Sequence, residues 1–184
     1  DQTVTPMGKR LLRNWVNKPL LSVNSINNRL ELVEYFYQYG MTRVSVIDAL
    51  KDFHDLERLI NRVVSGNARP PDLVAIREDL ALIPQLLEQI PDNEPAFAKL
   101  KRACHTLPQH LALLQSAIED DPPATLANTG IIRPGYSAEL DNILESSRHA
   151  REWINNLESE ERQRTGIKTL RVGYNKVFGY YIEV

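Results

Sequence analysis

The residues best equipped for chemistry do not assemble into a catalytic set. Four histidines, His54, His105, His110 and His149, show no i,i+4 pairing and no cysteine partners at zinc spacing, so they are read as structural or solvated. Asp52, Asp55 and Glu57 flank His54 and suggest acid–base work at first sight. The simpler reading is a helix start, with Asp55 as cap and Glu57 in a first turn whose dipole favours acids. Ser137 lacks a nucleophile elbow and reads as another cap. Cys104, the single cysteine, reads as a small buried hydrophobe on an apolar seam. No GxxxxGK[ST] loop is present to cradle phosphates. Neither catalytic nor metal-ligating residues are assigned.

Binding is better supported than catalysis. Lys9, Arg10 and Arg13 form a basic cluster that reads as a solvated helix face. Tyr35, Phe36, Tyr37 and Tyr39 read as helix core and surface rather than a base-stacking platform. Residues 166–182 differ, carrying Lys168, Arg171 and Lys176 and no acid. Gripping a DNA backbone requires cations and polar groups without base-edge readers. A turn at Asn175 and Lys176 can present both outward. Lys168, Arg171, Asn175 and Lys176 are the candidates for such a backbone contact, and by residue type alone a plain surface strand with scattered cations is equally plausible.

These residues must be positioned by mostly helical elements. Thr5 and Pro6 start a helix that Pro19 ends. A second helix is expected over 23–39, burying Ile26, Leu30, Val33 and Tyr37 and stopped by a left-handed Gly40. Thr42 caps a third through Leu50, and Asp55 a fourth with Leu56, Leu59, Ile60 and Val63 inward. Pro70 and Pro71 delay a fifth helix to Asp72, where Leu73, Ile76, Leu80, Ile83 and Leu87 recur. Phe97, Leu100, Cys104, Leu107, Leu111, Leu114 and Ile118 trace a heptad seam, with a break expected at Pro108. A turn-rich connector follows, with a short strand at Ile131 and Ile132. A helix over 137–164 would then span about 42 Å at ~1.5 Å per residue. Its stripe is Leu140, Ile143, Leu144, Ile154 and Leu157. The run ESEERQR beyond it has no apolar face, so packing is expected along the first half and solvent at the far end.

From Gly166 the period changes from helical to two: Leu170, Val172 and Tyr174 alternate with Thr169, Arg171 and Gly173. An aromatic and β-branched run fills 177–184. A two-stranded ribbon is marginal in water, and its edge, with a Phe178, Tyr180 and Ile182 row, could recruit another copy of the chain. The run stops at Val184 without partner or cap, so the chain is expected to be a piece of something larger. The fold expected is mainly α, a multi-helix core with long lever helices and a small C-terminal β segment. The domains expected are a helical body over 1–165 and the start of a β domain over 166–184.

The segment GIKTLRVGYNKVFGYYIEV resembles the start of the clamp domain in the MutS family of DNA mismatch-recognition proteins. DQTVTPMGKRLLRNW resembles the opening of that family's core domain, and Pro19-Leu20, Ile26 with Arg29, and Asp55-Leu56-Glu57-Arg58 fall where the family has similar residues. The resemblance covers the whole chain, most specifically at its two ends. It implies a core and lever in DNA mismatch repair that support an incomplete clamp on the DNA backbone and couple it to a distant ATPase. It also implies, for the whole family protein, mismatched double-stranded DNA, a homodimer and a MutL-type repair partner, and ATP with Mg²⁺ as cofactors, neither of which is expected to be held by these residues. The family's mismatch-reading Phe-x-Glu is missing from this sequence. A helical protein–protein interaction scaffold with no DNA role is the alternative.

Composition is compatible with both. The chain has 184 residues, 42% of them hydrophobic and 25% charged, which is ordinary for a globular protein. Its net charge of −2 exerts no global pull on nucleic acid, so contact must come from local patches. No apolar run approaches the ~20 residues needed to span a bilayer, and no signal peptide opens the chain. With one cysteine, this leads to the expectation of a cytoplasmic protein without a membrane partner, and the family resemblance implies a bacterial, nucleoid-associated one.

Overall fold

A computed structural model describes residues 2–92, 95–177 and 179–184. It divides into two compact units, Asp1–Arg133 and Pro134–Val184.

The first unit is helical: α1 Pro6–Asn17, α2 Val23–Gln38, α3 Gly40–Lys51, α4 Leu56–Val64, α5 Pro70–Glu88, α6 Pro95–Ala103 and α7 Pro108–Ala117. Its starts follow local chemistry. Thr5 Oγ1 accepts from Gly8 N at 3.0 Å, and Asp55 Oδ1 accepts from Arg58 N at 3.3 Å. Pro70 and Pro71 do not delay α5 but open it, in a first turn where a missing N–H is no loss. Gly40 does not stop α2 in a left-handed conformation; it begins α3, which leaves Thr42 inside that helix rather than capping it. The expected break comes at Leu107, whose φ of +47° separates α6 from α7 at Pro108.

The core is built on α4, α5 and α7. Leu59, Ile76 and Leu80 are buried, and Leu56, Leu73, Ile83, Leu111 and Leu114 pack around them. Ile60 and Val63 stay exposed, so α4 turns less of its stripe inward than its period suggests. Phe97 forms a second centre at 1% exposure, with the Tyr35 and Phe36 rings edge-on to it at 5.0 and 5.4 Å. That packing rotates α2 away from its expected face: Ile26, Leu30, Val33 and Tyr37 are exposed. Cys104 is also exposed, because the seam breaks around it. Ile118 and Ile132 pair as an isolated antiparallel bridge, where a short strand was expected at Ile131 and Ile132.

The second unit is one long helix and a hairpin. α8, Ala138–Thr165, has 28 residues; Ser137 Oγ accepts from Leu140 N at its start, and Gly166 closes it at φ +75°. β1, Arg171–Asn175, pairs antiparallel with β2, Gly179–Glu183, in the register Arg171↔Glu183, Gly173↔Tyr181 and Asn175↔Gly179. The architecture is mainly α with a small β end, as expected. The expected packing of α8 holds at Leu140, which is half-buried, but not beyond it. Ile143 and Leu144 are exposed, while Ile154, Leu157, Glu158, Glu161 and Arg162 at the far end are half-buried. Phe178, which belongs to the expected aromatic row, lies outside the described residues.

Candidate nucleic-acid interface

The hairpin's two edges are not alike. Leu170 and Val172 turn their backbone groups to the edge away from β2, since residues two apart in a strand point the same way. Two side chains of α8 meet them there. Arg162 Nε donates to the Leu170 carbonyl at 2.7 Å, and Glu158 Oε2 accepts from Val172 N at 3.0 Å. Glu158 and Arg162, one helical turn apart, pair with each other at 2.8 Å. A carboxylate and a guanidinium thus take the places of a C=O and an N–H on a neighbouring strand. Unpaired strand edges are costly in solvent-poor surroundings and sticky in water, so this brace stabilises β1 and closes part of that edge. Leu170, 3% exposed, is the apolar pin beneath it. Beside the brace, Trp153, Ile154, Leu157, Val172, Tyr180 and Ile182 line an apolar groove of about 270 Å³.

The four candidate residues fall at the two ends of this ribbon. Lys168 lies in the tight turn closed by Leu170 N on the Ile167 carbonyl at 3.3 Å, and it is exposed. Asn175 and Lys176 are exposed at the opposite end, about 14 Å away along β1 at ~3.4 Å per residue. Asn175 Oδ1 is occupied, accepting from Val177 N at 2.8 Å to shape the turn. Arg171 shares a strand face with Asn175 but stands directly opposite Glu183, an arrangement of opposite charges that tempers its positive field. Lys168 and Lys176 have no ion pair among the described residues. Between the ends, the Tyr181 ring lies across Gly173: a Cβ there would stand 2.6 Å from Tyr181 Cζ. The glycine leaves room for the ring to lie flat over the backbone.

The remaining candidates take structural places. Asp79 is fully buried; its Oδ1 receives His54 N and sits 2.9 Å from His54 Nδ1, while Oδ2 has no partner among the described residues. His54 therefore ties the loop before α4 to α5. Asp55 and Glu57 clamp Arg10 of α1, with the Arg10–Asp55 contacts at 2.8 and 2.7 Å. That pairing holds the Asp55 carboxyl below the usual carboxylate range and keeps the Arg10 guanidinium charged far above neutral pH. Arg29 covers the Trp15 ring at 3.5 Å. Among the described residues no cluster of three or more His, Cys, Asp or Glu is placed to hold a metal ion, and no helix is long and apolar enough to cross a membrane.

Glu158 and Arg162 were not singled out by the sequence. Their only local signal is an i,i+4 Glu–Arg pair near a helix C-terminus, which most such pairs share as ordinary surface chemistry.

A family model described as MutS domain III matches residues 1–172. The "DNA mismatch repair protein MutS" of Oceanobacillus iheyensis is 42% identical over 100% of this chain and 21% of its own length. The protein of the same name from Methanothrix thermoacetophila is 44% identical over 100% of this chain and 22% of its own length. The chain thus spans about a fifth of the curated relatives it matches.

Proposed function

The chain belongs to the MutS family, which it matches through domain III, and on that premise we propose that it serves DNA mismatch repair as a helical core whose long helix carries a DNA-backbone contact. The contact is made by the β1–β2 hairpin, chiefly through Lys168 and Lys176, with Arg171 tempered by Glu183 and Asn175 offering only its amide NH₂. The observation that carries this reading is the brace of Glu158 and Arg162 on β1. Because the helix grips the strand's backbone, force on the hairpin is transmitted to α8 rather than lost in a loose joint. Non-specific phosphate contact by lysines fits a module that holds the duplex while sequence is read elsewhere. In the longer protein, coupling would run from the hairpin along α8 toward an ATPase using ATP and Mg²⁺. The sequence itself has no GxxxxGK[ST] loop.

Fluorescence anisotropy with a short labelled duplex tests the reading. Affinity is expected near the weak, ~10⁻⁴ M end of non-specific binding, falling steeply with salt. Perfect and mismatched duplexes should bind alike, and Lys168→Glu with Lys176→Glu should remove the signal. A mismatch preference of more than a few-fold, or binding unchanged in the double variant, overturns it.

A further inference from the structure

The basic cluster of α1 becomes part of a site that its sequence position does not reveal. Lys9, Arg10 and Arg13 of α1 face Arg58 and Arg62 of α4 across a cleft of about 540 Å³, with Asp55 the only acid among its described lining residues. That volume lies within the range of small-ligand pockets, ~300–1,000 Å³. Not all five cations are available. Arg10 is held by Asp55 and Glu57, and Arg62 pairs with Asp72. Arg58 keeps only a 3.4 Å contact to Asp55 and its side chain is 70% exposed. Arg13 is exposed and has no ion pair or hydrogen bond among the described residues.

Each wall repeats one arrangement. Lys9 and Arg13 are four residues apart on α1, and Arg58 and Arg62 four apart on α4, so each helix stacks two like charges on the face lining the cleft. Like charges at that spacing destabilise a helix. Asp55 is the one acid among the described lining residues; Glu57 and Asp72, which pair with Arg10 and Arg62, and Glu78 and Asp79, beside His54, flank the cleft, so the cations that stay available for a ligand are those least engaged by them, Arg13 and Arg58. Guanidinium forks match the geometry of phosphate oxygens.

We propose that the α1–α4 cleft binds a phosphate-type oxyanion, with Arg13 and Arg58 as its primary donors and Arg10, locked by Asp55 and Glu57, as a fixed wall. The oxyanion is either a free polyphosphate or a phosphodiester of a nucleic acid, and the two sources are separable. The site lies outside the hairpin and does not depend on its DNA contact.

The test is a titration of the ¹⁵N-labelled 184-residue chain with inorganic pyrophosphate and, separately, with a short DNA duplex. Pyrophosphate at millimolar concentration should shift amides of α1 and α4 and the Arg13 and Arg58 Nε–H signals. Arg13→Glu with Arg58→Glu should weaken this at least tenfold, whereas Arg148→Glu with Arg151→Glu, an equal charge change on α8, should not. Shifts with pyrophosphate identify a free polyphosphate site; shifts at α1 and α4 with duplex alone, surviving Lys168→Glu and Lys176→Glu, identify a phosphodiester. The Gln double variant at 13 and 58 replaces the Glu pair should circular dichroism show the latter unfolded, with the same loss expected. No localised shift with either probe, or equal losses in the α1–α4 and α8 variants, overturns the proposal.

Discussion

The two units are held together by different forces. In Asp1–Arg133, cohesion comes from apolar burial: Leu59, Ile76, Leu80, Ile90, Phe97 and Ile118 are all within the interior. In Pro134–Val184, Leu170 is the one fully buried apolar side chain among the described residues, and the joint is a pair of charged side chains on strand backbone. Apolar burial is non-directional and tolerates small slides, whereas hydrogen bonds to strand edges fix position and angle. A body needs the first property, and the second suits the lever proposed for this unit, which would hold a contact at a set orientation.

The largest test of this contrast is Phe97→Ala. Removing a ring at 1% exposure, packed edge-on by Tyr35 and Phe36, should cost the first unit about 3–5 kcal/mol in denaturant titration. Amides of α2 and α6 should lose protection while those of α8 and the hairpin keep theirs. Equal loss of protection in both would mean that the units unfold together and the contrast has no energetic meaning.

Leu170→Ala is expected to cost about 2–3 kcal/mol, the low end of large-to-small core changes, because a thinly covered site can relax. Its signature is loss of protection across the hairpin amides with α4, α5 and α7 unaffected. A cost near that of Phe97→Ala would show a deeper apolar core in the second unit than its burial implies.

Arg162→Ala should cost about 1–2 kcal/mol, since the Leu170 carbonyl loses a charged donor but regains some water at this half-buried joint. Glu158→Ala should act on a single atom group first: the Val172 amide, now without its acceptor, should exchange much faster while neighbouring ladder amides change little. Stability unchanged in both variants would reduce the brace to surface decoration.

Local signals made much of this fold readable. Thr5, Asp55 and Ser137 cap helices, Pro108 marks a break, and the shift to period two at Leu170 marks the ribbon, because caps, prolines and strand alternation act within a few residues. Orientation was not readable in the same way. α2 carries apolar residues on more than one face, so the Phe97 ring on α6 decides that Tyr35 and Phe36, rather than Ile26 and Leu30, turn inward. The brace is invisible for a related reason. ESEERQR is a solvated run until β1 passes beside it, and then Glu158 and Arg162 are tied to the strand's backbone. The candidate lysines were readable as charges on a strand and a turn; that Asn175 closes the turn and that Glu183 faces Arg171 follow only from register.

The smallest expected effect is also the one that separates the two kinds of ion pair. Arg10 with Asp55 and Glu57 lies on the apolar unit as an addition to its core, not as its joint. Asp55→Asn keeps a capping side chain on α4, since Asn and Asp serve equally well there, and removes the charge that faces Arg10 and, at 3.4 Å, Arg58. The Asp55 carboxyl is held below its ordinary value first by the hydrogen bonds from Arg10, so its folded form binds a proton less readily than its unfolded form. Stability from this group is then fully present above the unfolded value, about 3.9, and is lost as pH falls through the lower folded value. Wild type should therefore exceed Asp55→Asn modestly at pH 7, and the gap should close in titrations carried below about pH 4, and shrink with added salt at pH 7. Arg162→Ala should keep most of its deficit in high salt, because a hydrogen bond to a strand carbonyl is not a screened surface charge. Equal salt sensitivity of the two variants would erase the distinction between a charge pair laid on a core and one that serves as the joint.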